Sequence, residues 1–180
     1  RTLTTTCIIL FTTVQSVAME QYYSLNDLVA KAHVVVTATC SEVRATVDPE
    51  RPNIVGSAAS FVDVRTIRVN SPGTAPQGSQ MILHYLGGSS QGIHLRACDM
   101  PRFSVGERYL LFLLNDGTRY ISPVIGGEQG RFRLIRDTDS GIEHVVDAWD
   151  YGIVGLVGKE MERTRNPIQG VNRGYGLEQS

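Results

Sequence analysis

The residues best equipped for chemistry lie in His94-Leu95-Arg96-Ala97-Cys98-Asp99, which places an imidazole, a thiol and a carboxylate close together. On a helix His94 and Cys98 would share a face, as a metal pair or a base and its nucleophile must. The alternation here is strand-like instead, and a strand sets residues i and i+4 roughly 13 Å apart. A zinc site needs three or four ligands at compatible spacing, and no second pair completes this one. A cysteine nucleophile would need His84 or His144 as a base beside Cys98, together with an oxyanion donor, and no local pattern supplies them. The expectation is no catalytic residue, no metal and no cofactor.

Two glycine-rich stretches invite a phosphate-loop reading. Gly87-Gly88-Ser89-Ser90-Gln91-Gly92 lacks the Gly-Lys-Ser/Thr ending and sits between strand-like segments with no helix to supply a dipole. It reads as a flexible hairpin whose glycines take positive φ. Gly126-Gly127-Glu128-Gln129-Gly130 reads the same way. Loops on a rigid β scaffold carry binding, so Gly87, Gly88, Ser89, Ser90 and Gln91 are candidate partner contacts, as is the wider loop Val47 to Ala58. The lone Trp149, with Tyr151 and Tyr175, is a further candidate contact patch, or else closes one end of a barrel.

Charge excludes one partner class. Lys and Arg total 17 against 18 Asp and Glu, a net of −1, so no electrostatic footprint for nucleic acid or for an anionic membrane surface is present. The arginines at 65, 68, 96, 102, 108, 119, 131, 133 and 136 lack the aromatic stacking platforms of single-strand binders and are read as solvated strand faces.

The chain ends set the compartment. Residues 1–18, RTLTTTCIILFTTVQSVA, place a basic residue, an apolar run and then Ser16-Val17-Ala18 in the order of a secretory signal peptide; the apolar stretch is shorter than the roughly 20 residues a membrane span needs. The competing reading is a Thr- and Ile-rich strand. Cleavage after Ala18 removes Cys7 and leaves Cys40 and Cys98, a pair that in an exported protein invites a disulfide. Such a bridge would close a loop of about 59 residues, worth roughly 4 kcal/mol in the chain-entropy model; two separately buried thiols are the alternative. From Lys159 to Ser180 the apolar periodicity fades, and the segment reads as a flexible tail. Residues 19–158 are then one domain.

The elements that must position these residues are mostly strands. Ser24-Leu25-Asn26-Asp27 starts a short helix, with Ser24 as cap and Asp27 at the positive end of the dipole. His33 to Thr39 is a β-branched run. Phe61 to Val69 alternates on even positions at Val62 and Val64 and on odd ones at Ile67 and Val69, a phase change that predicts a bulge near Arg65-Thr66. Met81 to Leu86 and Ile93 to Ala97 follow. Glu107 to Leu114 is apolar on both faces, as a central strand would be, and Asn115-Asp116-Gly117 predicts a hairpin turn after it. Thr118 to Val124, Arg131 to Ile135 and Ile142 to Val146 complete seven or eight short strands. The pattern predicts a mainly β fold, a small antiparallel barrel or sandwich with one short N-terminal helix.

Ala30 to Thr39, the FxVxxIxV form of Phe61 to Val69, the Gly87-Gly88 turn and the run Pro101-Arg102-Phe103-Ser104-Val105-Gly106-Glu107-Arg108-Tyr109-Leu110-Leu111-Phe112-Leu113 together resemble a bacterial exported module of uncharacterised role. The same layout is similar to the netrin-like domains of tissue inhibitors of metalloproteinases. The resemblance covers roughly Ser24 to Leu134 and implies an oligosaccharide/oligonucleotide-binding-type barrel. Those inhibitors chelate zinc through an amino-terminal Cys-x-Cys, which this chain lacks. The resulting expectation is a secreted or periplasmic, non-enzymatic binding or structural module that engages a protein partner. Inhibition or support of an extracellular peptidase is one alternative, and a surface-assembly subunit with residues 2–17 as a retained strand is another.

Overall fold

The computed structural model describes residues 21–48, 51–73, 75–90, 92–114, 122–137 and 141–168. The signal-like segment 1–18, the retained-strand segment 2–17, Cys7, Gln91, the Asn115-Asp116-Gly117 turn, Tyr175 and residues 169–180 lie outside them.

Helix α1 spans Leu25–Lys31 and starts by the chemistry its sequence predicts. Ser24 Oγ accepts from Asp27 N at 3.2 Å and Asp27 Oδ2 accepts from Ser24 N at 3.1 Å, a reciprocal capping box. The Ser24 hydroxyl, then its backbone amide, lowers the Asp27 pKa from the ordinary carboxylate value. At the other end Asn70 Nδ2 donates to the carbonyls of Val29 and Ala32, both at 2.7 Å, satisfying acceptors that the helix leaves open.

Strands β1 (Val34–Asp48), β2 (Arg51–Val69), β3 (Met81–Leu86), β6 (Arg108–Leu113), β7 (Arg131–Arg136) and β8 (Glu143–Val146) form one antiparallel sheet in the order β3-β2-β1-β6-β7-β8. Strands β4 (Gly88–Ser90) and β5 (Ile93–Leu95) form a two-stranded ribbon, as do β9 (Ile153–Val157) and β10 (Glu160–Arg163). The mainly β expectation with one short helix is met, and the described sheet is open, with β3 and β8 as its end strands.

The β1–β2 register shifts at four places. Ile67 is an extra residue between the Val35–Arg68 and Val36–Thr66 pairs, and another is inserted where Ala38 faces Asp63 and Val64, with Asp63 at φ 53°. These bulges flank the Thr66 and Arg65 pairs, so the phase change read from the sequence marks a real bend.

Both faces of the sheet are covered, because β1 and β6 carry apolar residues at consecutive positions. Val34, Val36, Ala38, Cys40, Tyr109, Leu111 and Leu113 point to one core with Ala59, Phe61 and Leu83. Val35 and Phe112 point to the other, where Leu28 of α1 and Ala32, which caps its end, meet Ile125 and Phe132. The first core is closed by Phe103, whose ring stands edge-on to Phe61 at 5.0 Å, Tyr109 at 5.3 Å and Tyr85 at 5.6 Å. The Tyr109 hydroxyl accepts from Ser104 N at 2.8 Å and donates to Glu107 at 2.6 Å; burial, reinforced by that carboxylate, raises its pKa above the ordinary tyrosine value. The Pro101-to-Leu113 run is therefore a buried strand and the turn that feeds it.

Two boundaries are corrected. Val47 to Ala58 is not a loop: most of it belongs to the β1–β2 hairpin, and Val55 and Ala58 are fully buried. The tail does not begin at Lys159. Glu160–Arg163 pairs with Ile153–Val157, Met161 packs on the second core, and Ile168 N donates to Asp150 O at 2.8 Å. The β9–β10 pairing is a local hairpin, whereas the core residues on which Met161 packs, such as Leu28 and Phe112, are distant in sequence, so local periodicity carries no trace of them.

Candidate functional site

The glycine-rich ribbon is less of a free loop than its composition suggests. Gly87 and Gly88 take φ 102° and 145°. Gly87 N donates to Val55 O at 3.0 Å, and Ser57 Oγ donates to Gly87 O at 2.7 Å. A Cβ on Gly88 would fall 2.8 Å from Ser57 Oγ and 3.0 Å from Gly56 O. These two glycines let backbone lie on backbone, and the stretch forms the hairpin with positive-φ glycines that the sequence predicts. Within the ribbon Ser89 is exposed beside His94, their Oγ and Nδ1 2.7 Å apart.

Cys40 and Cys98 are both free, so the expected disulfide is corrected. Cys40 points from β1 into the first core, where burial raises the thiol pKa, while Cys98 stands in an exposed segment after β5. Among the described residues no group of three His, Cys, Asp or Glu is gathered for a metal ion. Alkylation of the native, unreduced protein should modify Cys98 rapidly and Cys40 only after unfolding. Intact-mass analysis in which neither thiol reacts before reduction would restore the bridge.

Trp149 is the candidate contact that the fold presents most deliberately. It follows β8 in a turn organised by Asp147, which is almost wholly buried. Asp147 Oδ1 accepts from the amides of Trp149 at 2.9 Å and Tyr151 at 3.0 Å, while Oδ2 accepts from Arg163 Nε at 2.5 Å. Two backbone donors and a guanidinium thus converge on one carboxylate, which replaces its hydration and holds the turn. The turn is held a second time at Asp150, φ 70°, which pairs with Arg133; Arg133 also reaches Glu107 at 3.5 Å.

So braced, the indole remains 50% exposed, with the Arg163 guanidinium 5.7 Å over its ring. Beside it Tyr22 is 51% exposed and donates to Glu160 at 2.9 Å. Trp149, Tyr22, Tyr23, Phe132 and Met161 line one shallow depression.

The segment carrying Tyr22 is tied to the sheet by Gln129. Its Oε1 accepts from Tyr23 N at 2.9 Å and its Nε2 donates to Gln21 O at 3.0 Å. Gln129 sits in the 3-10 turn Gly127–Gly130, where Gly126 and Gly127 have φ 58° and 55°. Here too a glycine-rich stretch read as flexible is a packed structural turn. The contributions of Gln129, Arg163 and Tyr22 escape a reading of the sequence; only Asp147, two residues before Trp149, carries a local turn signal.

Compared with protein-family models, with curated proteins and with solved structures, the chain matches none.

Proposed function

We propose that this chain is an exported, non-enzymatic binding module that engages a protein partner through the aromatic depression around Trp149 and Tyr22. The observation that carries the reading is a half-exposed indole on a turn that a buried carboxylate holds through two backbone amides, with a guanidinium over its ring. A large aromatic ring already fixed in place loses little conformational freedom on binding, the property of residues that dominate protein interfaces. Export is supported by the n-region, apolar run and small-x-small order of residues 1–18. A partly open, netrin-like barrel, its end strands β3 and β8 not joined, is supported by the bulged β1–β2 hairpin, whose shifts bend the strands as barrel curvature requires. No helix among the described residues is long and apolar enough to cross a membrane.

The test is affinity capture from the exported fraction with wild-type protein, Trp149→Ala and Ser89→Ala side by side. A partner should be retained by the wild type and Ser89→Ala and lost, at least tenfold, with Trp149→Ala, as the cost of truncating an interface anchor implies. Retention of the same partner by Trp149→Ala, or no partner retained by the wild type at any salt, overturns the reading.

A further inference from the structure

The two ends of the main sheet are guarded very differently. β8 is four residues long, carries Glu143 paired with Arg108 at 2.6 Å, and is followed by a bridge from Val146 to Gly152 that brings the chain across its end. β3, Met81-Ile82-Leu83-His84-Tyr85-Leu86, has none of the usual protections of an outermost strand: no lysine, no proline, no acidic residue and no register shift in its pairing with β2. Its inward side chains Leu83 and Tyr85 belong to the first core, while Ile82, 52% exposed, and His84 face outward.

We propose that β3 is a self-association edge, through which two copies of this chain pair antiparallel about a two-fold axis and continue the sheet from one copy into the next. The choice of a second copy rests on charge. Every β2 residue opposite β3, from Gly56 to Phe61, is uncharged, as is β3 itself apart from what His84 can acquire. Apart from His84, which lies beside its own copy when the axis passes through it, self-pairing sets no charged side chain against its like, whereas a charged partner strand would find no opposite charge to meet. Geometry agrees. An axis through His84 places Ile82 beside Leu86 of the other copy, and the two-residue period keeps outward side chains with outward and core side chains with core. Such an isologous contact needs only one unguarded edge. Edge pairing of this length belongs with small interfaces, below about 1,200 Å² in total, so association is reversible and grows with concentration.

Sedimentation velocity over a concentration series tests this, comparing the wild type with His84→Lys and Ile82→Lys, both exposed positions, and with Ile142→Lys next to the guarded edge. The wild type and Ile142→Lys should form dimer as concentration rises, and each β3 lysine should weaken it at least tenfold. In the wild type, amide hydrogen exchange across residues 81–86 should slow with concentration, a readout that stands even if a lysine variant unfolds. A wild type that stays monomeric at its highest soluble concentration overturns the proposal, as does a dimer indifferent to both β3 lysines. A dimer abolished by Trp149→Ala instead assigns association to the aromatic depression and equally overturns it, whereas loss of a different partner with Trp149→Ala leaves it standing.

Discussion

Gly127→Ala should abolish the native fold or cost more than about 4 kcal/mol, the range reserved for substitutions that cannot be relaxed away. Gly127 holds φ 55°, and a Cβ there would fall inside the carbonyl oxygen of Asp99, a backbone atom with no rotamer to yield. The same carbonyl accepts from Glu128 N at 3.2 Å, so moving it breaks the contact between the 98–100 segment and the 3-10 turn. Gly130 is closed as well, though less severely, its Cβ position overlapping the Ile125 carbonyl oxygen. Gly73→Ala separates backbone strain from steric overlap: with φ 78° and open space around its Cβ, it should cost only about 1–2 kcal/mol. Thermal and urea unfolding of both variants decide the matter. A Gly127→Ala protein melting close to the wild type would show that the turn does not abut Asp99.

Asp147→Ala should cost about 3–5 kcal/mol, because it leaves the Arg163 guanidinium and two amides without their shared acceptor at a nearly dry position. For a chain of this size that corresponds to a melting temperature lowered by roughly 10 °C. Asp147→Asn keeps an oxygen for the two amides and loses only the charge, so its cost should be smaller. Trp149 is the chain's one tryptophan, so its fluorescence reports directly on the turn: Asp147→Ala should shift the emission to the red as the indole loses its fixed seat. Unchanged emission together with an unchanged melting temperature would mean that Asp147 does not organise the turn. The same loss of order should weaken capture of the partner proposed for the aromatic depression even though Trp149 itself is intact.

What could be read from the chain alone was whatever local chemistry decides. Ser24 and Asp27 specify a helix start by reciprocal hydrogen bonds spanning one turn. The unbroken apolar run around Tyr109 to Leu113 specifies a strand with both faces covered, since no alternation can bury every other residue while exposing the rest. The change of phase between Val64 and Ile67 specifies a bend, because side-chain direction inverts with each inserted residue.

Tertiary structure alone decided the rest. Gly87-Gly88 and Gly126-Gly127 look like flexible punctuation in sequence, yet each is closed by backbone atoms contributed from elsewhere, Gly56 in one case and Asp99 in the other. Cys40 and Cys98 are compatible in sequence with a bridge, but one faces a core and the other solvent. Residues 160–163 have tail-like composition and become a strand because Met161 and Arg163 find the second core and Asp147. Trp149 was visible as a residue, while its rigid exposure depends on Asp147, Arg163 and a neighbouring Tyr22 that lies more than a hundred positions away. The division has one physical cause: hydrogen bonds and side-chain alternation over a few residues are written locally, whereas close packing is a property of surfaces that only meet once the chain has folded.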